Sequence, residues 1–63
     1  MNFSEKLKYL RKSKGFTQEK LAEALNVSRQ AVTKWESGLA YPDIDKLIQI
    51  SNYMHVTVDY LVR

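Results

Sequence analysis

Residues 17–38 read Thr17-Gln18-Glu19-Lys20-Leu21-Ala22-Glu23-Ala24-Leu25-Asn26-Val27-Ser28-Arg29-Gln30-Ala31-Val32-Thr33-Lys34-Trp35-Glu36-Ser37-Gly38. Two short helices are written here with almost nothing between them. Thr17 is a residue type whose side-chain oxygen accepts from a free first-turn amide, so it caps the first. Gln18 to Leu25 follow, with Leu21 and Leu25 four apart and therefore on one face. Asn26 tolerates the left-handed backbone by which a chain leaves a helix. Ser28 caps a second helix, which runs to about Ser37 and is stopped by Gly38. Its inward positions are Ala31, Val32 and Trp35, while Arg29, Gln30, Thr33 and Lys34 take the other side. Only Asn26-Val27 separates Leu25 from the Ser28 cap, so the helices cross at a steep angle. Ala22 lets them touch, Val27 plugs the joint and Val32 packs behind it.

Outward from this pair, the flanks are helical too. Asn2 and Glu5 make a capping box for a helix from about Asn2 to Lys14. Phe3, Leu7 and Leu10 share its inner face, and Gly15 ends it. Tyr41-Pro42 forces a non-helical entry to a fourth helix, about Asp43 to Met54, with Ile44, Leu47, Ile48 and Ser51 expected on its inner stripe. A last short helix starts at Thr57 and holds Val58, Tyr60, Leu61 and Val62, with Val56 as a hydrophobic staple. The only β-branched run, Val56-Thr57-Val58, is too short for a strand. The expected fold is all-α: one compact five-helix domain over residues 1–63, with a helix-turn-helix formed by the second and third helices.

A helix-turn-helix holds the start of its second member clear of the body, where it can enter the major groove of DNA. Residues at that start decide what is read. Arg29 can pair bidentately with guanine O6 and N7, and Gln30 with adenine N6 and N7. Lys34 lies four residues after Gln30 on the same face and reaches a base or a phosphate. Thr33 meets a thymine methyl or a phosphate. Gln18 and the free amides of its helix end hold a phosphate. Ser28 adds a hydroxyl, and Lys14, Ser37, Gly38 and Lys46 flank the groove as further backbone contacts.

The ordered set Thr17-Gln18-Glu19-Lys20-Leu21-Ala22, Val27-Ser28-Arg29-Gln30-Ala31-Val32, Trp35-Glu36-Ser37-Gly38 and Tyr41-Pro42 resembles the lambda-repressor-like, or XRE-type, helix-turn-helix family. The end, His55-Val56-Thr57-Val58-Asp59-Tyr60-Leu61, is similar to that family's closing helix. The resemblance covers nearly the whole chain. It implies a sequence-specific transcriptional regulator, a repressor in the first instance, that binds double-stranded DNA as a homodimer on a pseudo-palindromic site. It implies the phosphate role for Gln18. It also implies a partly buried ion pair between Arg11 and Glu36 that fixes the first helix against the third. An exposed apolar patch of Ile50, Tyr53, Met54, Tyr60 and Val62 is the expected dimer surface.

Charge and composition agree with a polyanion partner. Net charge is +3, and Lys6, Lys8, Arg11, Lys12 and Lys14 crowd the first segment against Glu5 alone. Phe3, Phe16, Trp35, Tyr9 and Tyr41 read as core and cover, with Tyr53 and Tyr60 the exceptions. With no Cys, a thiolate zinc site and disulfides are excluded, which fits a cytoplasmic protein. No apolar run approaches the roughly 20 residues of a membrane span, and the start is not a signal peptide. Enzyme chemistry is not indicated. His55 is the only histidine, Asp43 and Asp45 do not face each other on a helix, and no glycine-rich phosphate loop exists. No cofactor, metal or small-molecule ligand is expected. The rival reading is a protein-interaction or antitoxin-type module using the same fold. The absence of an acidic residue among Arg29, Gln30 and Lys34 favours DNA.

Overall fold

The computed structural model describes all residues, 1–63. Five helices follow one another: α1 Phe3–Ser13, α2 Gln18–Leu25, α3 Arg29–Ser37, α4 Ile44–Met54 and α5 Val58–Val62. There is no strand.

Each helix begins at a residue whose side chain accepts a backbone amide. Asn2 takes Glu5 N, Thr17 takes Lys20 N, Ser28 takes Ala31 N, Asp43 takes Lys46 N and Thr57 takes Tyr60 N. At α1 the capping box is complete, with the Glu5 carboxylate returning to Asn2 N at 3.1 Å. The exits use positive φ: Gly15 at +76°, Asn26 at +57°, Gly38 at +80° and His55 at +58°. His55 is the one residue here that the sequence does not mark as a helix stop.

The core joins all five helices: Phe3, Leu7 and Leu10 of α1, Leu21, Ala22 and Leu25 of α2, Val32 and Trp35 of α3, Leu47, Ile50 and Met54 of α4, and Leu61 of α5. Val27 packs half-buried at the α2–α3 joint, with Ala22 and Val32 buried on either side. Val27 N donates to Ala22 O at 3.0 Å, which closes the turn.

Four expectations need correction. The inner stripe of α4 is Leu47, Ile50, Ser51 and Met54, while Ile44 and Ile48 are exposed. The apolar residues of α4 span roughly 160° of its circumference at 100° per residue, more than one contact covers. The Lys46 ammonium bonds Leu25 O at the end of α2, so that flank of α4 is the one turned toward α2. For the same reason Ile50 and Met54 cannot belong to an exposed patch, and only Tyr60 and Val62 of that set lie open. Two tyrosines read as cover, Tyr9 and Tyr41, are exposed, although the Tyr41 ring lies 4.7 Å from that of Phe3. Ala31 is half-buried rather than inside.

The basic N-terminal segment is also not uniformly solvated. Lys6 is buried, donates to Tyr60 O at 2.7 Å and sits over the Tyr60 ring. A cation there satisfies a carbonyl in the last turn of α5, which has no intrahelical partner. Arg11 is buried as well.

Candidate nucleic-acid interface

α3 is held from behind and open in front. Val32 and Trp35 anchor it to the core. Arg29, Gln30, Thr33 and Lys34 are exposed, and together with Leu39 they line one open hollow on the surface. The side chains of Arg29, Gln30 and Lys34 make no hydrogen bond to the protein, so their donors and acceptors are available. Leu39 was not singled out by sequence reasoning. It is 80% exposed at the edge of this hollow. The signal for it was present: an apolar residue directly after the left-handed Gly38, belonging to no helical face.

Behind the hollow lies a polar network that crosses three helices. Arg11 Nε donates to Glu36 Oε2 at 2.7 Å and Arg11 Nη2 to Glu36 Oε1 at 3.1 Å, a two-pronged pair. The side chains are only 10% and 3% exposed. Arg11 Nη1 also donates to Phe16 O at 2.7 Å, which ties down the α1–α2 connection. Glu36 accepts a third bond, from Gln18 Nε2 at 3.0 Å. Gln18 Oε1 in turn accepts from Thr33 Oγ1 at 2.8 Å. No buried side-chain polar atom lacks a partner.

The other residues named from the sequence are spread around this centre. Ser28 Oγ caps α3 by accepting from Ala31 N at 3.2 Å, and its own proton is uncommitted. Ser37 is exposed and donates to Lys34 O at 3.2 Å. Gly38 leaves α3 with a left-handed backbone; a Cβ there would lie 3.5 Å from Ser4 Oγ, so α1 approaches closely. Lys14 is the exposed C-cap of α1. Lys46 is half-buried, and its ammonium donates to Leu25 O at 2.8 Å and to Gln49 Oε1 at 3.3 Å. It therefore serves the C-terminal end of α2, a role not legible in the sequence.

This geometry, with a capped second helix presenting its polar start beyond a tight joint, is matched by known proteins. A helix-turn-helix family model fits residues 7–61. The chain belongs to the lambda-repressor-like helix-turn-helix family. It is 53% identical over 62 residues to the transcriptional activator BcrR of Enterococcus faecalis, covering 98% of this chain and 30% of that protein. The crystal structure of a transcriptional regulator from Listeria innocua superposes with a TM-score of 0.92 at 41% identity, over 97% of this chain and 57% of that one. The P22 c2 repressor, crystallised with a synthetic operator, superposes with a TM-score of 0.95 at 25% identity, over 100% of this chain and 96% of that one. The chain spans between 30% and 56% of the length of three curated relatives it matches. No helix is long and apolar enough to cross a membrane.

Proposed function

We propose that this helix-turn-helix chain binds double-stranded DNA sequence-specifically, with α3 in the major groove, and regulates transcription from a pseudo-palindromic site as a homodimer. The observation that carries this is the α3 face. Arg29, Gln30, Thr33 and Lys34 surround one open hollow, with no acidic side chain among its lining residues. Arg29 and Gln30 read base edges, and Lys34 and Thr33 help. The free proton of Ser28, the second amide proton of Gln18 and the unbonded first-turn amides of α2 meet phosphates and set the register. Lys14, Ser37 and Gly38 supply further backbone contacts. Residues 1–63 form the DNA-binding unit, which uses no cofactor or small-molecule ligand within itself and acts in the cytoplasm. A site that overlaps a promoter makes it a repressor.

The size of the domain supports the dimer. The Cα extents are 24 × 23 × 21 Å. Recognition helices one DNA turn apart, about 34–36 Å, bring two such domains to the point of contact once side chains are added. Ile44, Ile48, Tyr60 and Val62 are the exposed apolar residues of α4 and α5 available there.

Selection of bound duplexes from a random library tests the reading. The wild type should enrich one motif. Arg29→Ala should flatten base preference at one position by about 1–3 kcal/mol. Gln18→Ala should weaken all sequences alike. A wild-type pool without a motif, or an unchanged motif with Arg29→Ala, would overturn the assignment.

A further inference from the structure

The Glu36–Gln18–Thr33 chain of hydrogen bonds has a direction. Glu36 is buried and, as a carboxylate, only accepts. Its Oε1 lies 3.0 Å from the Gln18 amide, so that end must be the nitrogen; an amide oxygen there would face a carboxylate oxygen. The amide oxygen of Gln18 is thereby turned toward Thr33, 2.8 Å away. Thr33 Oγ1 has a single proton. Its two protein neighbours, Gln18 Oε1 at 2.8 Å and Arg29 O at 3.0 Å, are both acceptors. The proton therefore stays within the protein, whichever of the two holds it. What the hydroxyl can still offer a ligand is a lone pair.

We propose that Thr33 meets DNA as a hydrogen-bond acceptor and selects a base with a major-groove amino group, adenine or cytosine, at the position it faces. This rests on α3 entering the major groove as described above. Thr33 is exposed and lines the same hollow as Arg29, Gln30 and Lys34, so the residue belongs to the reading face. In the major groove the base donors are adenine N6 and cytosine N4, whereas guanine and thymine offer acceptors and the thymine methyl. Phosphate oxygens only accept, so a backbone bond to this hydroxyl would require its proton to abandon both protein partners. The orienting element, buried Glu36, is remote from DNA, and Gln18 transmits its orientation to the surface.

The test compares the full chain with Thr33→Val and Thr33→Ser in duplex selection, then in competition binding to the selected site. Valine keeps the shape and a methyl but has no acceptor; serine keeps the acceptor without the methyl. At one position the wild type should prefer adenine or cytosine. Thr33→Val should lose that preference by roughly three- to tenfold, the worth of one hydrogen bond, with the other positions unchanged. Thr33→Ser should keep it. Duplexes lacking the amino group at that position (purine in place of adenine, pyrimidin-2-one in place of cytosine) should weaken the wild type by the same factor and leave Thr33→Val unaffected. An unchanged motif with Thr33→Val overturns the inference, as does guanine or thymine at the affected position, or a preference lost with serine and kept with valine. Each of these leaves DNA reading by α3 intact. A wild type that selects no motif overturns both.

Discussion

The Arg11–Glu36 pair is the most exposed to test, because so little of it is exposed to water. Glu36→Leu removes a carboxylate that accepts from Arg11 Nε at 2.7 Å, Arg11 Nη2 at 3.1 Å and Gln18 Nε2 at 3.0 Å. Arg11 is then left buried, with only Phe16 O as a partner. Removing one member of a buried pair costs about 3–5 kcal/mol, because the survivor's charge has been taken out of water without compensation. A domain of this length holds roughly 3–9 kcal/mol in total. Glu36→Leu and Arg11→Met should therefore each remove much of the stability, lowering the melting temperature by roughly 12–40 °C. The double variant should recover most of the loss, since replacing both charges by apolar groups is often neutral or better. Urea melts followed by far-ultraviolet circular dichroism give all four corners of the cycle. A coupling energy below about 1 kcal/mol, the level of a surface pair, would refute the argument. So would a double variant no more stable than the worse single one.

Three further outcomes follow from the same accounting of partners. Lys46→Met removes the cation on Leu25 O and should cost about 1 kcal/mol in a urea melt, the worth of one partly exposed hydrogen bond; lost DNA affinity at unchanged stability would instead assign Lys46 to phosphate. His55 holds the left-handed cap of α4 at φ +58°. His55→Gly should therefore raise stability by up to about 1 kcal/mol, and a lower melting temperature would show a contact that the backbone cost does not explain. Lys8, Lys12, Lys14, Lys20, Arg29 and Lys34 have no hydrogen-bond or ion-pair partner in the protein, which bounds the phosphates each domain neutralises through basic side chains. The slope of log affinity against log salt should then be no steeper than about −5 per domain, and a steeper titration would mean that Lys6, Arg11, Lys46 or Arg63 leaves its internal partner on binding.

Much of the scaffold was legible because it depends on local chemistry. Caps at Asn2, Thr17, Ser28 and Thr57 and the left-handed exit at Asn26 are decided by a residue and its next few neighbours, and they stand where the sequence puts them. The joint of Ala22, Val27 and Val32 was legible for the same reason. Reading failed where a residue's partner lies far along the chain. Lys6 looks like a solvated lysine until α5 brings Tyr60 O to it, 54 residues away. Lys46 looks like a flanking cation until Leu25 O, 21 residues back, takes its ammonium. Ile44 and Ile48 fit an inner stripe by period alone, because period gives the spacing of a helix face but not which neighbour it docks on. The α3 face lies between these cases. Its composition was readable, since Arg29, Gln30, Thr33 and Lys34 follow a cap and avoid the positions of Val32 and Trp35. The direction in which Thr33 bonds was not. That depends on Arg11 fixing Glu36, Glu36 turning the Gln18 amide, and the amide oxygen facing a hydroxyl whose other neighbour, Arg29 O, is also an acceptor, across three helices that only the folded chain brings together.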